Sequence, residues 1–148
     1  MNDAPPPGSD LSTGDSRAPF DGPIVRLLLV EDNFLVAQAI VGLLEDTGFT
    51  VRCAESGEDA WELITQGRAD YDIVVCDLTM PGLPGRDLLK RLVAAHPDLP
   101  VLIITGMSHP DLEREMRGLG AAGVVPKPID FGSFVGVLRN VYASIKRS

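Results

Sequence analysis

Five short apolar runs, each followed by a longer amphipathic window, constrain this chain more than any other feature. Residues 24–30 read IVRLLLV, 71–76 read YDIVVC and 101–104 read VLII. A strand that is apolar on nearly every residue must be covered on both faces, which calls for a parallel sheet between two layers of helices. Shorter runs at 49–53 and 123–126 complete a set of five strands. The intervening windows carry the helical period instead. Over 33–47 it aligns Leu35, Val36, Ala39, Ile40, Leu43 and Leu44 on one stripe, expected to face inward. Ala60, Trp61 and Ile64 form a second stripe, and Leu88, Leu89 and Leu92 a third within a helix over 85–95.

Local signals punctuate these elements. Gly48 ends the first helix, and Ser56 followed by Asp59 forms a capping box for a second that stops near Gly67. Pro97 and Pro100 bracket the turn into the fourth strand. Gly120 and Gly123 flank the entry to the fifth, after a helix over about 110–119. A last helix runs over 131–146. Strands alternating with helices at this size predict a doubly wound five-stranded parallel sheet of order 2-1-3-4-5. That is a flavodoxin-like α/β fold with three α/β/α layers and right-handed crossovers.

With 148 residues, 45% of them hydrophobic, the chain builds one core, so one domain is expected over 24–148. Residues 1–23 hold Pro5, Pro6, Pro7, Gly8, Pro19 and Pro23 with little apolar area, and are expected to form a flexible tail. No run approaches the length of a membrane span, and the head lacks the basic and apolar regions of a secretory signal. A formal charge of −8 disfavours direct contact with nucleic acid. Cys53 and Cys76 have neither ligand spacing nor basic neighbours, which suits inert buried thiols in a reducing, cytoplasmic setting.

In such sheets ligands bind beyond the carboxyl ends of the central strands. Glu31 and Asp32 follow the first strand, Asp77 the third, Thr105 the fourth and Lys127 the fifth. Each alone has an ordinary reading, as a helix cap, a loop residue, a turn cap or a solvated lysine. Together they bring three carboxylates, a hydroxyl and an ammonium to one crevice. Clustered carboxylates repel unless a cation neutralises them, and an all-oxygen donor set in an open loop suits Mg²⁺. Without paired His or Cys, zinc and softer metals are poor candidates. The chemistry that fits is nucleophilic attack by Asp77 on a phosphodonor, with Mg²⁺ and Lys127 opposing the phosphoryl charge and Thr105 donating to a phosphoryl oxygen. No G-x-x-x-x-G-K-[ST] or G-x-G-x-x-G loop is present, so ATP is not the expected direct substrate.

From about residue 25 to 145 the chain resembles the receiver domain of two-component response regulators and hybrid histidine kinases. LLLVEDN ending at Asn33, DLTMPGLPG from Asp77, IITG around Thr105 and PKP at 126–128 carry the resemblance, each at its expected strand end. It implies that Asp77 accepts a phosphoryl group from a histidine kinase or histidine phosphotransfer protein. The reaction would be Mg-dependent self-phosphorylation and self-dephosphorylation, without a conventional turnover substrate. The resemblance also implies that Asp32 binds Mg²⁺ directly, Glu31 through water and Thr79 through its backbone carbonyl, with Asp77 completing the set. Thr105 becomes the switch hydroxyl, Lys127 the phosphate-binding lysine, and Lys127-Pro128 a cis peptide.

One position departs from the family. Val124 stands three residues before the lysine, where an aromatic switch ring is common. That departure shifts the expected response to residues 106–120. The last helix ends close to Ser148, so the expectation is signalling by protein contact to a downstream target. The face of the fourth helix, fifth strand and fifth helix is the expected surface, also for a homodimer. A fragment of a longer protein, with the Pro-rich head as its linker, fits equally.

A receiver-like interaction module that acts without phosphorylation is the alternative. A phosphoester hydrolase lacks its second carboxylate, because position 79 is Thr, and a flavin carrier conflicts with Glu31 and Asp32. Trp61 reads as core, His96 and His109 as surface or capping residues. Arg86, Lys90 and Arg91 read as a solvated face before a docking surface.

Overall fold

The computed structural model describes residues 25–66, 71–78, 84–107 and 109–146. The expected tail over 1–23, Gly67 and Thr79 lie outside the described residues. Five strands form one parallel sheet: β1 (Val25–Val30), β2 (Phe49–Ala54), β3 (Ile73–Asp77), β4 (Val101–Thr105) and β5 (Gly123–Pro126). Their order is β2-β1-β3-β4-β5, as predicted. The helices are α1 (Phe34–Glu45), α2 (Gly57–Thr65), α3 (Gly85–Ala95), α4 (Pro110–Gly118) and α5 (Phe131–Lys146).

Strand side chains alternate between faces, so each buried strand feeds two cores. Leu28, Val30, Val74, Cys76 and Ile103 point to one side and pack on Ala60, Ile64, Leu88, Leu89, Leu92 and Met116 from α2, α3 and α4. Leu27, Leu29, Ile73, Val75 and Leu102 point to the other and pack on Ala37, Ile40, Leu44, Phe134 and Leu138 from α1 and α5. Burying one such aliphatic side chain stabilises the fold by about 1.5–3 kcal/mol. These two layers hold the sheet rigid beneath its carboxyl edge.

The punctuation follows the local signals. Asn33 caps α1 by accepting from the Val36 N–H at 3.1 Å, and the Ser56 hydroxyl accepts from the Asp59 N–H at 3.1 Å. Gly48 and Gly120 adopt φ of 95° and 109°, a region where a side chain is strained. His109 caps α4 through Nδ1, which accepts from the Asp111 N–H, and His96 ends α3. Trp61 is half-buried against the core.

The inward stripe expected on α1 is corrected. The helix buries Ala37, Ile40 and Leu44, whereas Leu35 is 78% and Leu43 46% exposed and Ala39 is exposed. Residues 34–44 contain no charged side chain and one polar one, Gln38, so both sides carry large apolar residues and periodicity discriminates weakly between them. Contact with the sheet chooses. The solvated-face reading of α3 holds, with Lys90 and Arg91 exposed, and two of its cations also find surface partners. Arg86 forms a two-pronged pair with Glu115 of α4 at 2.9 and 3.1 Å, and Arg91 lies over Trp61 at 5.7 Å. Among the described residues, no helix is long and apolar enough to cross a membrane.

The orientation of α1 sets a stability contrast. In dilute protein, Leu44→Ala should lower unfolding free energy by about 2–5 kcal/mol and Leu35→Ala by about 0.5 kcal/mol or less, measured by urea titration. A comparable loss at both positions would refute this assignment of the buried face.

Candidate functional site

The site is built where the strands end. Three of the ladders continue one residue past the strand. Glu31 N–H donates to the Ala54 carbonyl at 3.0 Å, Leu78 N–H to Ile104 at 3.0 Å, and Lys127 N–H to Thr105 at 2.8 Å. These bonds fix the backbone under Glu31, Asp77 and Lys127, so their side chains share one edge of the sheet. The Lys127-Pro128 peptide is cis, as the sequence resemblance implied.

Lys127 occupies the centre. Its Nζ lies 3.1 Å from Asp77 Oδ2 and 3.2 Å from Glu31 Oε1. The other Glu31 oxygen accepts from the Asn33 N–H at 3.2 Å. Carboxylate oxygens of Glu31, Asp32 and Asp77 all lie within 4.8 Å of one another. Glu31 and Asp77 are buried, at 2% and 5% exposure, while Asp32 is exposed at the mouth. Thus a buried pair is neutralised in part by an ammonium, and a third carboxylate opens to solvent.

Titration directions follow from this packing. Burial pushes the Glu31 carboxyl above its ordinary value, and the Asp77 charge adds to the rise, against the Asn33 N–H and Lys127. For Lys127, burial acts to lower the ammonium's pKa. Hydrogen bonds and charge from Asp77 and Glu31 outweigh it and hold the pKa raised. Beneath them the Cys76 thiol is fully buried, and that burial, followed by the two carboxylates, pushes its pKa far up. It stays protonated and inert. Burial likewise raises the Cys53 thiol.

The structure brings together Glu31, Asp32, Asp77 and Lys127. Thr105 ends the neighbouring strand and is fully buried, and its hydroxyl accepts from the Met107 N–H at 3.0 Å. Thr79 lies outside the described residues. The all-oxygen donor set and its spacing are consistent with a site for a hard cation: two of the three carboxylates face one ammonium, and the third opens outward. Beside it, Asp77 is a carboxylate with a positive charge at 3.1 Å, an arrangement suited to nucleophilic attack on an electrophile that carries negative oxygens.

Two supports escaped the sequence reading. Gly85 packs against the backbone after β3, and a Cβ there would sit 2.5 Å from the Asp77 carbonyl oxygen and 2.8 Å from the Leu78 Cα. Only glycine lets α3 start so close to Asp77. Its signal was the glycine that ends DLTMPGLPG. The Asn33 N–H that holds Glu31 had its signal in the helix cap two residues after the acid.

Comparison with known proteins bears on this geometry. Residues 27–139 match the family described as "Response regulator receiver domain". "Sensor kinase CckA" of Brucella abortus (strain 2308) is 35% identical over 102 residues, covering 69% of this chain and 11% of that protein. "Transcriptional regulatory protein DltR" of Streptococcus agalactiae serotype III (strain NEM316) is 34% identical over 115 residues, covering 78% of this chain and 50% of that one. The chain therefore spans half or less of these relatives. A solved response regulator receiver domain from Clostridium thermocellum superposes with a TM-score of 0.77 at 27% identity, covering 82% of this chain and 97% of that one.

The Glu31 shift sets a pH dependence. A raised folded pKa means that the group's contribution to stability is full below its ordinary value of 4.5 and is lost as pH rises through the folded value. Glu31→Gln fixes the neutral form. It should raise the urea midpoint of metal-free protein at about pH 7 and leave it unchanged at about pH 4. Equal midpoints at the higher pH would show that Lys127 and Asn33 already offset the burial cost.

Proposed function

The chain belongs to the response regulator receiver domain family, and on that premise we propose that it accepts a phosphoryl group on Asp77 in a Mg²⁺-dependent reaction and signals by protein contact. One observation carries the reading: Asp77 sits at the sheet's carboxyl edge with Lys127 Nζ at 3.1 Å and the oxygens of Glu31 and Asp32 within 4.8 Å. The proposed phosphodonor is a phosphohistidine of a histidine kinase or histidine phosphotransfer protein. Family membership supports this partner class.

In the proposed step an Asp77 carboxylate oxygen attacks phosphorus, a P–O bond forms and the P–N bond to the donor imidazole breaks. Mg²⁺, held by Asp32 and Asp77 directly, by Glu31 through water and by the Thr79 carbonyl, would supply positive charge to the phosphoryl oxygens. Lys127 supplies charge from the other side and would shift from the carboxylate to a phosphoryl oxygen as the acyl phosphate forms. The Thr105 hydroxyl, which accepts from Met107 in the resting protein, would turn to donate to that oxygen. Loss of the phosphoryl group to water closes the cycle without a conventional turnover substrate. Val124, half-buried against the core, is too short to serve as a switch ring, so the response is assigned to residues 106–120. A cytoplasmic location is part of the same proposal.

Purified protein with acetyl phosphate and Mg²⁺ should gain one phosphoryl group by intact-mass spectrometry, and Asp77→Asn should gain none. An unchanged wild-type mass would favour an interaction module that acts without phosphorylation. The role of Lys127 is tested separately. Lys127→Ala should still bind Mg²⁺, as read by calorimetry, yet lose the amide shifts that phosphorylation produces elsewhere in the wild type. Identical shifts in both proteins would remove Lys127 from signal transmission.

A further inference from the structure

From the Arg86–Glu115 pair we infer a salt-sensitive strap that holds α4 in its resting position and thereby slows phosphoryl loading of Asp77. The loading half of this inference rests on the phosphoaccepting reading proposed above. Arg86 Nε donates to one Glu115 oxygen at 2.9 Å and Nη2 to the other at 3.1 Å. Two N–H donors on one carboxylate fix orientation as well as distance, which a single contact does not. Among the described residues no other hydrogen bond or ion pair joins α3 to α4. The two side chains are 40% and 48% exposed, so the tie is open to screening by salt.

The foot of the strap is part of the site's frame. Arg86 follows Gly85, whose N–H donates to the Leu78 carbonyl at 3.2 Å and which leaves no room for a Cβ beside the Asp77 carbonyl. α3 then buries Leu88, Leu89 and Leu92, so it cannot shift cheaply. The far end is held more lightly. α4 buries Met116 alone, with Leu112 and the cap residue Leu119 half-buried beside it. Its Asp111–Arg114 and Glu113–Arg117 pairs lie within the helix and travel with it. The 3.2 Å bond from Arg117 to the Ala122 carbonyl reaches only the segment that follows.

Loading acts at the start of the same segment. The Thr105 hydroxyl accepts from the Met107 N–H at 3.0 Å, and turning it to a phosphoryl oxygen breaks that bond and frees the turn into α4. Gly106 adds no restraint, since even a Cβ there would meet nothing within 4 Å. Any shift of α4 relative to α3 then bends or stretches a two-pronged pair. A contact made at rest and lost on loading biases the protein toward rest, and the bias is reciprocal. For an exposed pair it amounts to roughly two- to fivefold in an equilibrium constant.

Hydrogen exchange of the full chain, without Mg²⁺ or phosphodonor, reads the strap alone. Arg86→Ala and Glu115→Gln should each raise exchange at amides 112–119 roughly two- to fivefold, with β4 amides unchanged. About 0.5 M NaCl should do the same to the wild type and add little in either variant. Initial loading from acetyl phosphate with Mg²⁺, read by intact mass, should quicken in both variants by a similar factor. The shared sign is the discriminating readout. One substitution removes a cation and the other an anion, so a field effect on the anionic donor would push the two rates in opposite directions. The swapped pair, Arg86→Glu with Glu115→Arg, should return both readings toward wild type. Exchange equal to wild type in both single variants overturns the strap, and loading rates that diverge or stay unchanged overturn its action on Asp77. A wild type that never loads strikes the phosphoaccepting reading and the loading half with it. The exchange measurement needs no donor and so tells that failure from a failure of the strap.

Discussion

One ammonium holds the carboxyl edge of this sheet together. Lys127 stands within hydrogen-bonding reach of both Asp77 and Glu31, two carboxyl groups that would otherwise face each other away from water. Without an opposing charge, either would have to bind a proton or leave the edge. The pair is also incomplete as a neutral unit, since a third carboxylate, Asp32, opens beside it. That excess of negative oxygen is what makes the edge receptive to a cation. The Asp77–Lys127 contact is what makes it receptive to a group with negative oxygens of its own.

The geometry depends on backbone more than on side chains. Parallel ladders run one residue past β1, β3 and β5, so the groups that follow are set by the sheet and not by flexible loops. Beneath the edge, largely apolar strands packed on both faces resist the pull of the charges above them. Gly85 completes the frame by letting α3 begin against the carbonyl of Asp77 itself. Charge at the rim is thus tolerated because the layer under it cannot rearrange cheaply.

The helices divide into two kinds around this frame. α4 is strongly charged, buries Met116, and is tied to α3 by the Arg86–Glu115 pair at the surface, an arrangement that yields at low cost. α1 carries no charge before Glu45 and exposes Leu35 and Leu43, so the core accounts for only part of its apolar surface. A charged, lightly anchored helix suits movement, and an apolar outer face suits contact. Both lie next to loops that carry site residues.

Much of this was legible before any coordinates. Strand runs apolar on nearly every residue demand a covered parallel sheet, and glycines, prolines and caps mark where its elements stop. From strand order alone, Glu31, Asp32, Asp77, Thr105 and Lys127 fall at one edge, because ligand groups in such a sheet follow the carboxyl ends of its strands. Tertiary structure decided what pattern could not. Which face of α1 is buried depended on contact with the sheet, because Gln38 and Glu45 alone mark its polar side and apolar residues fill the rest. The partners of Arg86 and Arg91 depended on how α3 packs beside α4 and α2, since long charged side chains read alike whether solvated or paired. That Thr105 spends its resting hydroxyl on the Met107 amide, and that Glu31 bridges Asn33 and Lys127, are facts of distance. A sequence names the groups that can meet, and only packing sets which of them come within hydrogen-bonding distance.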